Sequence, residues 1–193
     1  MTELLHESAV QTDITEAPLA PQQKLVATYA IVRDRYSAFA ESHPITATIA
    51  ETLGVWTVDT LAYTLSPQET GHMSVLASDR AKNPRRFDLE TVTVIPVIEE
   101  LLYRTGSWLA AKTHPTSRSI QLACDVYSSF RFAEIHRADG DSFAVPEFAC
   151  GMHLARLARH RGLGHAILAH ALYNSSSILL SAIAEGTSSS HAE

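Results

Sequence analysis

Cysteine is scarce in this chain of 193 residues. Only Cys124 and Cys150 are present. Neither sits in a C-x-x-C spacing and both lie in apolar segments, so they read as two buried free thiols. An excess of positive charge is also missing. The formal net charge is -6, which leaves no electrostatic footprint for a nucleic acid. The N-terminus has no basic n-region and no long apolar run. It carries Glu3, Glu7, Asp13 and Glu16 instead, which argues against a secretory signal. Strand signals are sparse too: the one β-branched run, Thr91–Ile95, leads straight into the helix-favouring Glu-Glu-Leu-Leu-Tyr-Arg.

Long hydrophobic runs are the most telling absence. A membrane span needs ~20 largely apolar residues. Only Leu163–Ala184 reaches that length without a formal charge, and it contains His165, His170, Asn174 and several serines. Hydropathy alone therefore describes a soluble helical protein with at most one marginal span. Basic residues bunch at Arg80–Arg86 and at Arg156, Arg159 and Arg161. Away from a membrane these read as solvated faces.

What remains is an all-α chain with room for about six helices. The first covers about 23–41, with Leu25, Tyr29, Val32, Tyr36 and Phe39 on one face, and Ser42-His43-Pro44 ends it. The second covers about 45–65, with Ile45, Ile49, Leu53, Trp56 and Leu61 facing inward. A short helix at 67–80 and a polar loop at 79–87 follow. The third main helix opens on Asp88 as N-cap and runs to about Lys112, with Pro96 as an interior kink. Helices at about 116–136, 145–160 and 163–185 complete the set. Pro146 is tolerated in a first turn, and Gly162 is a natural stop. The expected domain plan is a flexible tail at 1–22, one helical domain at 23–186 and a frayed tail at 187–193.

Chemistry concentrates in three pairs with i,i+4 spacing, which puts two side chains on one helix face. The first is Glu99-Glu100 with Arg104. Glu100 can pair with the arginine, leaving Glu99 to face another surface and act as a base. The second is Phe132 with His136, a histidine suited to proton transfer near neutral pH. The third is His170 with Asn174, an imidazole and an amide in the most apolar segment of the chain, both able to donate to a developing oxyanion. Taken singly, each pair also fits packing, a surface ion pair or a helix–helix hydrogen bond. Glu99, His136 and His170 together are a candidate ligand set for Zn²⁺, although no H-x-x-x-H spacing includes them. His165 lies out of phase with this face. His153 and His160 fall among arginines and are expected to face solvent.

In order, the three pairs resemble the signature of the CPBP family, the C-a-a-X proteases and bacteriocin-processing enzymes also called Abi proteins. The pattern E-E-x-x-x-R, F-x-x-x-H, H-x-x-x-N is matched by Glu99–Arg104, Phe132–His136 and His170–Asn174, with Pro96 three residues before the glutamates. The resemblance covers roughly residues 90–180. It implies an intramembrane endopeptidase. Glu99 would activate a water and His136 would help hold it. His170 and Asn174 would stabilise the oxyanion, and Arg104 would pair with Glu100. The implied substrate is a peptide or protein, prenylated or leader-bearing. No cofactor is required on the glutamate mechanism, whereas Zn is on a metallo-mechanism. Departures are visible as well. Members usually have about eight hydrophobic helices, Thr105 stands where a glycine often follows the arginine, and Asp125, Glu134 and the arginines of 145–160 have no assigned role. These departures motivate an alternative: a shortened, catalytically inactive relative that binds a partner protein, soluble or cytoplasmic rather than integral to a membrane.

Overall fold

The computed structural model describes residues 20–65, 80–137 and 144–189. The expected N-terminal tail and the expected features at 67–79 and 138–141 lie wholly or largely outside those residues, as does the last part of the C-terminal tail. Among the described residues there are seven helices and no strand: α1 (Pro21–Ser42), α2 (Pro44–Leu65), α3 (Pro84–Tyr103), α4 (Thr105–Thr113), α5 (Arg118–His136), α6 (Val145–Arg161) and α7 (Leu163–Ser189). Two compact units divide the chain at residues 39 and 40. The first contains most of α1, on which the rings of Tyr36 and Phe39 lie 6.3 Å apart. The second contains everything described below.

Two boundaries differ from the sequence reading. The third main helix begins at Pro84, not Asp88, because Asn83 caps it by accepting from the Arg86 backbone N–H. Asp88 instead takes the Arg80 guanidinium at 3.0 Å. The same helix does not reach Lys112. It ends at Tyr103, and a new helix starts at Thr105, with Arg104 as the hinge residue between them. That break explains seven helices where about six were expected. Gly162, by contrast, does stop α6 as anticipated. Its φ of 93° is a left-handed conformation that a side chain disfavours, and it turns the chain directly into α7.

The inward face of α2 corrects a second expectation. Ile45, Leu53 and Leu61 are exposed, while Ala47, Thr48 and Thr52 are buried; Ile49 and Trp56 do lie half-buried as expected, and Trp56 Nε1 donates to Ser177 Oγ of α7 at 3.2 Å. The pattern holds throughout the larger unit. Buried positions are small or polar: Ala110, Ala133, Ala155, Ala158, Ala166, Ala169, Ser107 and Ser129. Large apolar side chains such as Leu101, Leu102, Val126, Phe130 and Ile135 point outward. Small residues let helix backbones approach closely. A cluster of conventional core side chains joins α6 to α7 through Cys150, Leu154 and Leu157, with Leu163 and Tyr173 against it.

Polar groups inside are satisfied in two ways. Many hydroxyls bond back to their own helix, as Thr48 does to Pro44 O (2.8 Å), Thr52 to Thr48 O (2.7 Å) and Ser129 to Asp125 O (2.6 Å). Charges pair across helices. Arg161 of α6 meets Glu51 of α2 at 2.9 Å, and Arg159 of α6 meets Asp125 of α5 at 3.1 Å. Arg159 and Arg161 are thus internal struts and not the solvated face expected of them, whereas Arg156 is about half exposed while reaching Glu51 at 3.2 Å. Among the described residues no helix is long and apolar enough to cross a membrane.

His153 is likewise not on a solvated face. It is half-buried between α6 and α2, with Nε2 3.4 Å from the Thr52 hydroxyl. Burial holds its imidazole down to about 4, from 6.5, against the opposing pull of Glu51. The folded chain therefore binds fewer protons than the unfolded one in that window. Stability tied to His153 is present in full above pH 6.5 and falls away as pH drops towards about 4. Unfolding midpoints across that range should decline less steeply for His153→Gln than for the wild type. Parallel curves would show that another group dominates the acid limb.

Candidate active site

Three helices supply the candidate site: α3 carries Glu99 and Glu100, α5 carries Phe132 and His136, and α7 carries His170 and Asn174. Glu99 and Glu100 are adjacent on α3, and the other two pairs each lie one turn apart on their helix, so the packing of α3, α5 and α7 fixes the site with no loop involved. Pro96, fully buried in α3, has no N–H to give the Val92 carbonyl, which leaves the turn before the glutamates short of one hydrogen bond. Asn174 reaches that same turn: its Nδ2 donates to the Thr91 carbonyl at 2.9 Å. The amide thereby ties α7 to α3.

Glu99 lies between the two histidines. Its Oε1 is 3.9 Å from His136 Nε2 and its Oε2 is 3.5 Å from His170 Nε2. His136 donates through Nδ1 to the Phe132 carbonyl at 2.8 Å, so Nε2 is the nitrogen turned to the glutamate. His170 donates through Nδ1 to Glu100 Oε1 at 3.0 Å, which again leaves Nε2 for Glu99. Burial pushes the Glu99 carboxyl above the usual carboxylate range. Glu100 adds to that effect, while His170 and Arg104 oppose it.

Behind this row lies a second one that is wholly buried. Glu100 and Arg104 each have no exposed surface, and Arg104 Nε is 3.4 Å from Glu100 Oε2. The expected i,i+4 pair therefore exists, but inside the protein and not on its surface. The guanidinium also donates to Ser128 Oγ at 3.1 Å and lies 4.7 Å over the Phe132 ring. That ring touches everything else. His136 lies 4.2 Å away, His170 meets it edge-on at 5.6 Å, and Tyr103 does so at 5.9 Å. Phe132 is a hub, a role beyond that of partner to His136.

The sequence reading missed Ser128. Its signal was present, since Ser128, Phe132 and His136 form one stripe at i, i+4 and i+8 on α5. Asp125 was singled out only as a misplaced charge. It lies 1% exposed beside Ser128 and Ser129, and its charge acts on Arg104. Cys150 is buried, whereas Cys124 is only half-buried and lines a cavity of about 290 Å³ with Tyr103, Tyr127 and Ser128.

Among the described residues no group of three His, Cys, Asp or Glu side chains is arranged to hold a metal ion. Glu99, His136 and His170 form no such group. The arrangement suits proton chemistry. One carboxylate of raised basicity sits between two imidazoles whose tautomers are fixed from behind.

No curated protein and no solved structure matches the chain. A family model does match: Type II CAAX prenyl endopeptidase Rce1-like, over residues 88–176. That span opens near the start of α3 and closes just past Asn174, so it takes in all three pairs and the helices that carry them. Over residues 88–176, which hold all three pairs, the chain is similar to the Rce1-like family of type II CAAX prenyl endopeptidases.

Proposed function

We propose that the protein is an endopeptidase that hydrolyses a peptide bond with a water activated by Glu99. The supporting observation is the Glu99 carboxylate held between two imidazoles on different helices, at 3.9 and 3.5 Å. A gap of 3.9 Å is too long for a direct hydrogen bond and suits a bridging water. Glu99, made more basic by burial, takes a proton from that water, and His136 Nε2 steadies the water from the other side. The hydroxide adds to the scissile carbonyl carbon and the carbonyl oxygen becomes an oxyanion. His170, backed by Glu100 at Nδ1, turns Nε2 to that oxygen and steadies it, with Asn174 one turn further along the same helix. The proton on Glu99 then passes to the leaving amine, and the carboxylate is regenerated.

The substrate on this reading is a protein or peptide with a prenylated C-terminal tail, as the family description states for its members. The outward apolar side chains of α3 and α5 need an apolar neighbour, and we read that neighbour as lipid, with the site reached from a membrane. Purified protein should cleave a prenylated C-terminal peptide reporter. Glu99→Ala and His136→Ala should each lose that cleavage while remaining folded. Wild-type turnover by both variants would overturn the mechanism. The protein should also partition with membranes and need detergent for extraction; full recovery in the soluble fraction without detergent would remove the lipid part of the reading.

A further inference from the structure

The geometry points to Gly151 as a positioning residue for Arg104, and through it for Glu100 and His170. This rests on the reading of the site just given. Glycine inside a helix is a local loss that a fold keeps only for a reason. Gly54, Gly106 and Gly164 lie in or at helices too, but a Cβ added at any of them meets nothing within 4 Å. At Gly151 the situation differs. A Cβ there would lie 3.0 Å from Ser129 Cβ, 3.1 Å from Ser129 Cα and 3.3 Å from Arg104 Nη2. The missing side chain of α6 thus does two things: it lets α5 come close, and it leaves the volume beside the end of the guanidinium.

The guanidinium has little freedom to give way. Arg104 is completely buried, with Phe132 beneath it, Ser128 at Nη1 and Glu100 beside Nε. Its Nη2 makes no hydrogen bond among the described residues, so no bond holds that nitrogen in place. Beyond the contacts at Nη1 and Nε, packing sets where it sits, and Gly151 is on that side. A methyl at 151 would push the guanidinium towards Glu100 and Phe132. Those two groups contact His170 directly, Glu100 by a 3.0 Å hydrogen bond and Phe132 by an edge contact.

The test compares wild type, Gly151→Ala, Ser129→Gly and the double variant in the purified full chain. Gly151→Ala should lose about 10–100-fold in kcat with KM within about twofold, as a sub-ångström displacement of a catalytic group does. Ser129→Gly should keep wild-type turnover. The double variant removes the crowding against Ser129 Cβ but not the contact with Arg104, so it should regain part of the lost unfolding midpoint and none of the lost kcat. Recovery of kcat together with stability would reduce Gly151 to a helix spacer and overturn the inference. So would wild-type kcat in folded Gly151→Ala. A wild type that cleaves no reporter sinks the endopeptidase reading and leaves this inference to a second readout. In ¹⁵N-labelled protein, the Arg104 Nε–H resonance, assigned by its loss in Arg104→Lys, should shift or broaden in Gly151→Ala. An unchanged resonance overturns the inference.

Discussion

Glu99→Gln is expected to abolish turnover and to stabilise the fold at neutral pH. The loss in kcat should be about two to four orders of magnitude, the usual worth of a general base. The gain in stability follows from the raised pKa. The folded state holds a proton on Glu99 more tightly than the unfolded chain does. Stability tied to this group is therefore present in full below the ordinary carboxylate pKa and is lost as pH rises through the raised value. At neutral pH the wild type keeps a charge in a largely buried place at a cost that glutamine does not carry. The unfolding midpoint of Glu99→Gln should thus exceed that of wild type at pH 7, and the two should converge as pH falls below the carboxylate range. A lower midpoint at every pH would show that the charge of Glu99 is satisfied by its neighbours. It would then be structural and not held in readiness for catalysis.

Arg104→Met should be the most destabilising single change in the site, costing about 3–5 kcal/mol, because it strands Glu100 as a buried charge without its partner. The double variant Glu100→Gln with Arg104→Met removes both charges. It should return to within about 1–2 kcal/mol of wild type, since a buried pair replaced as a whole is close to neutral. Glutamine at 100 still offers an oxygen to His170 Nδ1, so the tautomer survives. What does not survive is the negative charge behind His170 Nδ1, so kcat should stay low although the fold is restored. Chemical denaturation and steady-state kinetics on the same three proteins separate the two roles. If the double variant turns over like wild type, the inner pair serves folding alone.

Much of this arrangement was legible in the sequence. The three pairs, their helices, the stop at Gly162 and the pairing of Glu100 with Arg104 all follow from local spacing and turn chemistry. The break at Arg104 did not, because Leu101-Leu102-Tyr103-Arg104 has good helix propensity throughout and holds no proline or glycine to mark a stop. The burial of Arg159, Arg161 and His153 was misread for a related reason. Their partners Asp125, Glu51 and Thr52 lie on other helices, and spacing along one helix carries no information about them. Gly151 was invisible for the same cause: its neighbour Arg104 is more than forty positions away in sequence. The face of α2 was misread in part: Ile49 and Trp56 do turn inward, but Ile45, Leu53 and Leu61 were assigned inward for being apolar, and in this molecule many bulky apolar side chains point outward.

That outward placement has an evolutionary side. Ala47, Ala133, Ala155, Ala158, Ala166 and Ala169 have no exposed surface at all, so there is no slack for a larger residue at any of them. The outward leucines, isoleucines and valines, by contrast, can exchange with one another freely. Substitution tolerance along these helices should therefore run opposite to that of an ordinary globular protein. Lineages should drift fastest at the bulky positions and stay frozen at the alanines. A saturation scan that scores Ala→Val harsher than Leu→Ile to Met exchanges would trace the inside of the bundle without any structure at hand.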